Sequence, residues 1–165
     1  MSKAFTKDDA SEEPLVVPTR RPLPAGAPNY VTPRGLESLR AELHRLHDER
    51  PAVGTASSEP ERAHTRAAAN ARVRELEERI TSAVVVDPSA QPRDEVRFGA
   101  CVTVRGESGR DRRYEIVGVD EADAAKGRVG FAAPLARALL GKRVGDAVTL
   151  RTPRGEEELE VVAIE

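Results

Sequence analysis

Four acidic side chains come closest to a chemical constellation in this chain. Asp48, Glu49, Glu59 and Glu61 gather around the junction of two helical segments. Glu61 also has a plainer role. Ser58-Glu59-Pro60-Glu61 has the spacing of a capping box, with Glu61 as the reciprocal partner of Ser58 and Pro60 tolerated in the first turn. His44 and His47, three residues apart, could turn toward one metal, but no Cys or facing carboxylate completes a set, so two solvated histidines beside a helix seam are the alternative. The sequence predicts no metal site and no cofactor.

Arg62, Arg66, Arg72 and Arg74 form the one notable basic cluster, suited to RNA or to an acidic wall. Glu75, Glu77 and Glu78 are interspersed with it, so a solvated helix face is the competing reading. Asp120, Glu121 and Asp123 follow a strand, on a loop where carboxylates either meet basic groups of a partner or form a solvated turn. Phosphate-cradling glycine loops, His-Glu-x-x-His motifs and nucleophile elbows have no match, and the chain is not expected to be an enzyme.

The composition limits the partners. A formal net charge of -2 gives no global attraction to nucleic acid, so any such contact needs a local patch or a carrier protein. Aromatic content of 3% leaves the core to Leu, Val, Ile and Ala. Cys101 is the single cysteine and has no partner within the chain, which points to a reducing cytoplasm. No membrane-spanning or secretory segment is legible.

The elements that must position these residues fall in three parts. Residues 1–28 carry Asp8, Asp9, Glu12 and Glu13 and then five prolines, and read as a disordered tail; Arg20 and Arg21 make it either an electrostatic tether or a solubilising leader. Residues 29–86 read as an antiparallel helical hairpin. Thr32-Pro33 starts the first helix, Leu36, Leu39, Leu43 and Leu46 form its seam, and Pro51 ends it near residue 50. Ser58 starts the second, whose seam is Ala69, Val73, Leu76, Ile80 and Ala83; Leu43 should face Leu76, and Leu46 should face Val73. A loop with Gly54, Ser57 and Ser58 joins them. Residues 87–165 switch to a β period, with strands beginning near Val96, Arg112, Arg128, Ala147 and Leu159, and one short helix from Pro134 to Gly141. The fold class is α+β.

The segments NYVTPRGLESLRAELHRL, VVDP, FGACVTV, YEIVGVDEAD, PLARALLGKRVGD and VTLRTPRGEEELEVVAI, in this order, resemble the GreA/GreB transcription factors, GreB-type members above all. The resemblance covers residues 29–50 and 84–165. It implies an FKBP-like C-terminal domain that docks at the rim of the secondary channel of bacterial RNA polymerase, through Phe131, Pro134, Leu135, Arg137, Ala138 and Leu139, while the coiled coil enters the channel. Contact with nucleic acid would then be indirect, through the transcription complex.

Family members that stimulate transcript cleavage carry an Asp and a Glu in a Gly-Asp-x-Ser-Glu-Asn type motif at the hairpin tip. Here the stretch reads PAVGTASSEPERAHTRAAAN, without that motif and about a dozen residues shorter, which removes roughly 9 Å of reach. A magnesium ligand must sit about 2 Å from its ion. The chain is therefore expected to regulate elongation without strong cleavage stimulation. Two alternatives stay open: an active cleavage factor using Glu59 and Glu61, or a regulator of nucleoside diphosphate kinase like the Rnk relatives. Ala132 and Ala133 replace the residues before Pro134, where the family commonly has a serine. Prolyl isomerisation would need an aromatic-lined pocket, for which Phe98, Tyr114 and Phe131 are a meagre supply.

Overall fold

The computed structural model describes residues 20–49 and 58–165. Most of the predicted tail, and Pro51, Gly54 and Ser57 of the predicted hairpin loop, lie outside the described residues. The elements in chain order are β1 (Asn29–Val31), α1 (Pro33–Glu49), α2 (Glu59–Thr81), β2 (Ala83–Val85), β3 (Cys101–Gly106), β4 (Asp111–Val117), β5 (Arg128–Gly130), α3 (Pro134–Leu139), β6 (Ala147–Thr152) and β7 (Gly155–Ile164).

Both long helices start where their caps predict. Thr32 Oγ1 accepts from the Gly35 N–H at 3.0 Å, and Ser58 Oγ accepts from the Glu61 N–H at 3.4 Å. Each hydroxyl thus satisfies one of the amide donors that a helix start leaves without an intrahelical acceptor. Leu39 and Leu76 are buried with Val31, and Leu36, Leu43, Leu46, Ile80 and Ala83 pack around them. At ~1.5 Å per residue, the 23 residues of α2 extend about 35 Å.

The foot of the hairpin holds a sheet that hydrophobic periodicity does not reveal. β1 and β2 pair in parallel, with Asn29 opposite Ala83 and Val31 opposite Val85. Asn29 ties this sheet to the end of α2, its Nδ2 donating to the Arg79 carbonyl at 2.9 Å and to Ser82 Oγ at 3.2 Å.

A five-stranded sheet in the order β5-β4-β3-β7-β6 forms the C-terminal part. β4 and β5 pair in parallel and the other neighbours are antiparallel. Alternate residues of β3 and β7, Val102, Val104, Leu159 and Val161, point into one core with Ile116 of β4, and Ala136 and Leu139 of α3 close it. The architecture is α+β: a helical hairpin followed by a β domain that carries one short helix.

Candidate functional site

α3 presents one face outward. Pro134 occupies the first turn and Ala133 caps it without a side-chain bond, so the departure at Ala132-Ala133 leaves this start held by main-chain contacts alone. Ala133 N–H donates to the Gly130 carbonyl at 2.8 Å, and Gly141, with φ +78°, ends the helix and donates to Val96 at 2.8 Å. A positive φ is cheap only for glycine.

Beneath α3, Ala136 and Leu139 are fully buried. Pro134 and Arg137 are exposed, while Leu135, Ala138 and Phe131 are half-buried. Leu139 therefore needs correction as a contact residue: at 0% exposure its side chain belongs to the β core and supports the surface from below. Phe131 is also engaged, with its ring centroid 5.6 Å from that of Tyr30 and 5.9 Å from that of Phe98, while Tyr30 and Phe98 stand 5.7 Å apart. The three rings fill one another's space and tie β1 to the β domain.

The loop after β4 is neither a partner-facing surface nor a solvated turn at Asp120 and Glu121. Glu121 turns inward: its Oε2 accepts from the Thr32 N–H at 3.0 Å and the Gly118 N–H at 3.2 Å, and its Oε1 accepts from the Thr32 hydroxyl. Gly35 makes room for it, since a Cβ there would overlap the Glu121 carboxylate. Asp120, with 5% of its side chain exposed, receives Arg20 at 3.2 Å and Arg79 at 3.4 Å.

Arg20 also pairs with Glu42 of α1. Burial pulls its guanidinium pKa down, but hydrogen bonds to Glu42 and Asp120 outweigh that and leave the pKa raised. Arg79 donates as well to the Arg21 carbonyl. Part of the segment read as a tail, Arg20 and Arg21, is thus held by Glu42, Asp120 and Arg79. Only Asp123 behaves as a turn residue, accepting from the Ala125 N–H at 3.1 Å and pairing with Lys126.

Arg20, Glu42, Asp120 and Glu121 line a cleft of about 440 Å³ between α1 and the β domain. Arg20, Asp120 and Glu121 are each bonded to a neighbouring segment here, and these bonds tie α1 and the N-terminal residues to the β domain.

Arg62, Arg66, Arg72 and Arg74 all lie on α2 and all are exposed. Glu59 engages the first two, at 3.8 Å from Arg62 and 2.9 Å from Arg66. His44 pairs with Asp48 at 2.9 Å along α1. Among the described residues no group of three or more metal-ligating side chains comes together, and no helix is long and apolar enough to cross a membrane.

The family model for the C-terminal part of the GreA/GreB transcription elongation factors matches residues 91–165. The transcription elongation factor GreB of Neisseria meningitidis is 38% identical over 152 residues, covering 83% of this chain and 93% of its own length. GreA of Alkalilimnicola ehrlichii is 41% identical over 150 residues, covering 81% and 95%. Among solved structures, the GreA factor homolog 1 protein of Thermus thermophilus is 25% identical over 84% of this chain and 99% of its own, with a TM-score of 0.39.

Proposed function

The chain belongs to the GreA/GreB family of transcription elongation factors, and from that membership we propose that it binds bacterial RNA polymerase and regulates elongation. The relatives' names supply the process; this chain's surfaces supply the way it engages. Docking falls to the outer face of α3, at the rim of the secondary channel. The observation that carries this reading is the division of α3 into a buried Ala136 and Leu139 beneath an exposed Pro134 and Arg137. A rigidly backed surface loses little conformational entropy when a partner covers it.

The hairpin then acts as a finger whose angle is set by Asp120 and Glu121, and its arginines face the channel wall or the RNA. Regulation is by obstruction or competition, with no reaction catalysed by the chain itself. Weak or absent cleavage stimulation follows from Glu59, which is held by two arginines, and from Glu61, which sits in the first turn of α2 where a carboxylate is favoured by the helix dipole.

Polymerase stalled on backtracked RNA tests the finer reading. The expected result is binding without faster trimming of the transcript. Magnesium-dependent trimming that disappears in Glu61→Ala would overturn it in favour of a cleavage factor.

A further inference from the structure

Val144, on the link from α3 to β6, is the most exposed large apolar side chain among the described residues, at 57%. It does not sit on a loose loop. Arg143 and Asp146 close a tight turn around it: the Asp146 N–H donates to the Arg143 carbonyl at 3.0 Å, and Asp146 Oδ2 accepts from the Arg143 N–H at 2.8 Å. Gly145, with φ +93°, takes the third position of the turn, where a positive φ is cheap only for glycine. Its N–H donates to the Val161 carbonyl of β7 at 2.8 Å, and the Val161 N–H donates to the Asp146 carbonyl at 2.8 Å. Upstream, the Lys142 N–H donates to the Leu139 carbonyl at 3.0 Å and the Lys142 carbonyl accepts from the Val96 N–H at 2.7 Å. The turn is thus pinned to the end of α3, to β7 and to Val96. An apolar side chain presented this rigidly loses little conformational entropy when a partner covers it.

Two further cations join Arg137 at this end of the domain. Among the described residues the side chains of Arg137, Lys142 and Arg143 make no hydrogen bond or ion pair. Elsewhere in the β domain Arg105 is answered by Asp111, Arg112 by Glu157 and Arg151 by Glu156. The acids nearest the turn are already engaged. Asp146 accepts from the Arg143 main chain, and Asp94, which Arg143 faces at longer range, pairs with Arg97 at 3.2 Å. Positive charge therefore stays uncompensated around an exposed apolar tip, in a chain whose formal net charge is -2.

We propose that this turn is a second contact of the docking face, and that it takes an acidic segment of the protein partner that brings an apolar side chain to Val144. This contact rests on docking through the outer face of α3, which it extends. Val144 lies two residues, at most about 7 Å of chain, beyond Lys142, whose amide is bonded to the last turn of α3. A protein interface of ordinary size covers about 800 Å² on each side, enough to include both the helix end and the turn. The apolar tip selects a protein over a nucleic acid, because contacts to phosphate leave an aliphatic side chain without a counterpart. Stacking of a base would need a free ring, and the nearest in sequence, Phe131, is engaged with Tyr30 and Phe98.

The test measures binding to core RNA polymerase, free of DNA and RNA, for the parent, Arg143→Glu, Val144→Ser and, as the control for α3 itself, Arg137→Glu. Arg143→Glu is expected to weaken binding about tenfold at low salt and much less at high salt. Val144→Ser should weaken it about threefold at both. Both positions are exposed, so both variants should melt with the parent. Turn variants that bind like the parent, while Arg137→Glu binds less well, would overturn the turn contact and leave docking through α3 standing. No binding by the parent would overturn both. A loss seen only when a single-stranded RNA replaces polymerase as the probe would overturn the acidic protein partner in favour of nucleic acid.

Discussion

Arg79 of the second helix and Asp120 of the β domain meet at 3.4 Å with 9% and 5% of their side chains exposed. Arg20 reaches the same carboxylate from the N-terminal side. Three segments far apart in sequence thus converge on one buried charge, and the angle of the finger depends on it.

Asp120→Ala strands two guanidinium groups with a lost partner. Removing one member of a buried pair costs about 3 kcal/mol, and urea unfolding should show a loss of that order. An unchanged midpoint would mean that water already solvates Arg20 and Arg79.

Gly35→Ala gives a test of sign. In an exposed helix interior the change from Gly to Ala stabilises by about 1 kcal/mol. Here the new methyl collides with the Glu121 carboxylate that holds Thr32, so the variant should melt lower than the parent. A higher melting temperature would contradict the inward placement of Glu121.

Leu139→Ala and Arg137→Glu should separate folding from docking. The first empties a fully buried position and should cost about 3 kcal/mol of stability. The second alters an exposed side chain and should stay within about 0.5 kcal/mol while weakening partner binding. Equal destabilisation by both would show that α3 has no free outer face.

Asp111 reports on the β3–β4 hairpin through pH. Its carboxylate accepts from Arg105 Nε at 2.7 Å and Nη2 at 3.0 Å, and that hydrogen-bonding holds its pKa below the ordinary value. A depressed carboxyl contributes its stability above the unfolded value, roughly 3.9, and loses it as the pH falls through the folded value. Following the Asp111 carboxyl by NMR, Arg105→Ala should shift its midpoint upward. A stationary midpoint would show that the pair does not form in solution.

Local chemistry made the hairpin legible. Thr32-Pro33 and Ser58 mark helix starts by capping, and the leucine spacing of α1 marks its buried side, so both helices start where the sequence puts them, while Ala83, read as the end of the second seam, opens β2 instead. β1 and β2 are three residues each, too short to alternate, and their pairing joins positions more than fifty residues apart. The inward turn of the acidic loop is illegible for the same reason: the groups that answer Asp120 and Glu121 are Arg20, Arg79 and Thr32, which no local spacing connects. On α3, six residues make under two turns, so periodicity alone did not separate the buried Leu139 from the outward Arg137. Arg62, Arg66, Arg72 and Arg74 are exposed on α2, and exposed charge on a long helix is legible without tertiary context.

The most direct measurement is binding of the purified protein to core RNA polymerase in competition with an authentic GreB, alongside the Arg137→Glu variant. Displacement of GreB by the parent, weakened about tenfold or more by that substitution, is the predicted result, a loss of roughly 1.4 kcal/mol in binding free energy. No displacement at micromolar protein, or displacement indifferent to Arg137, would contradict docking through α3.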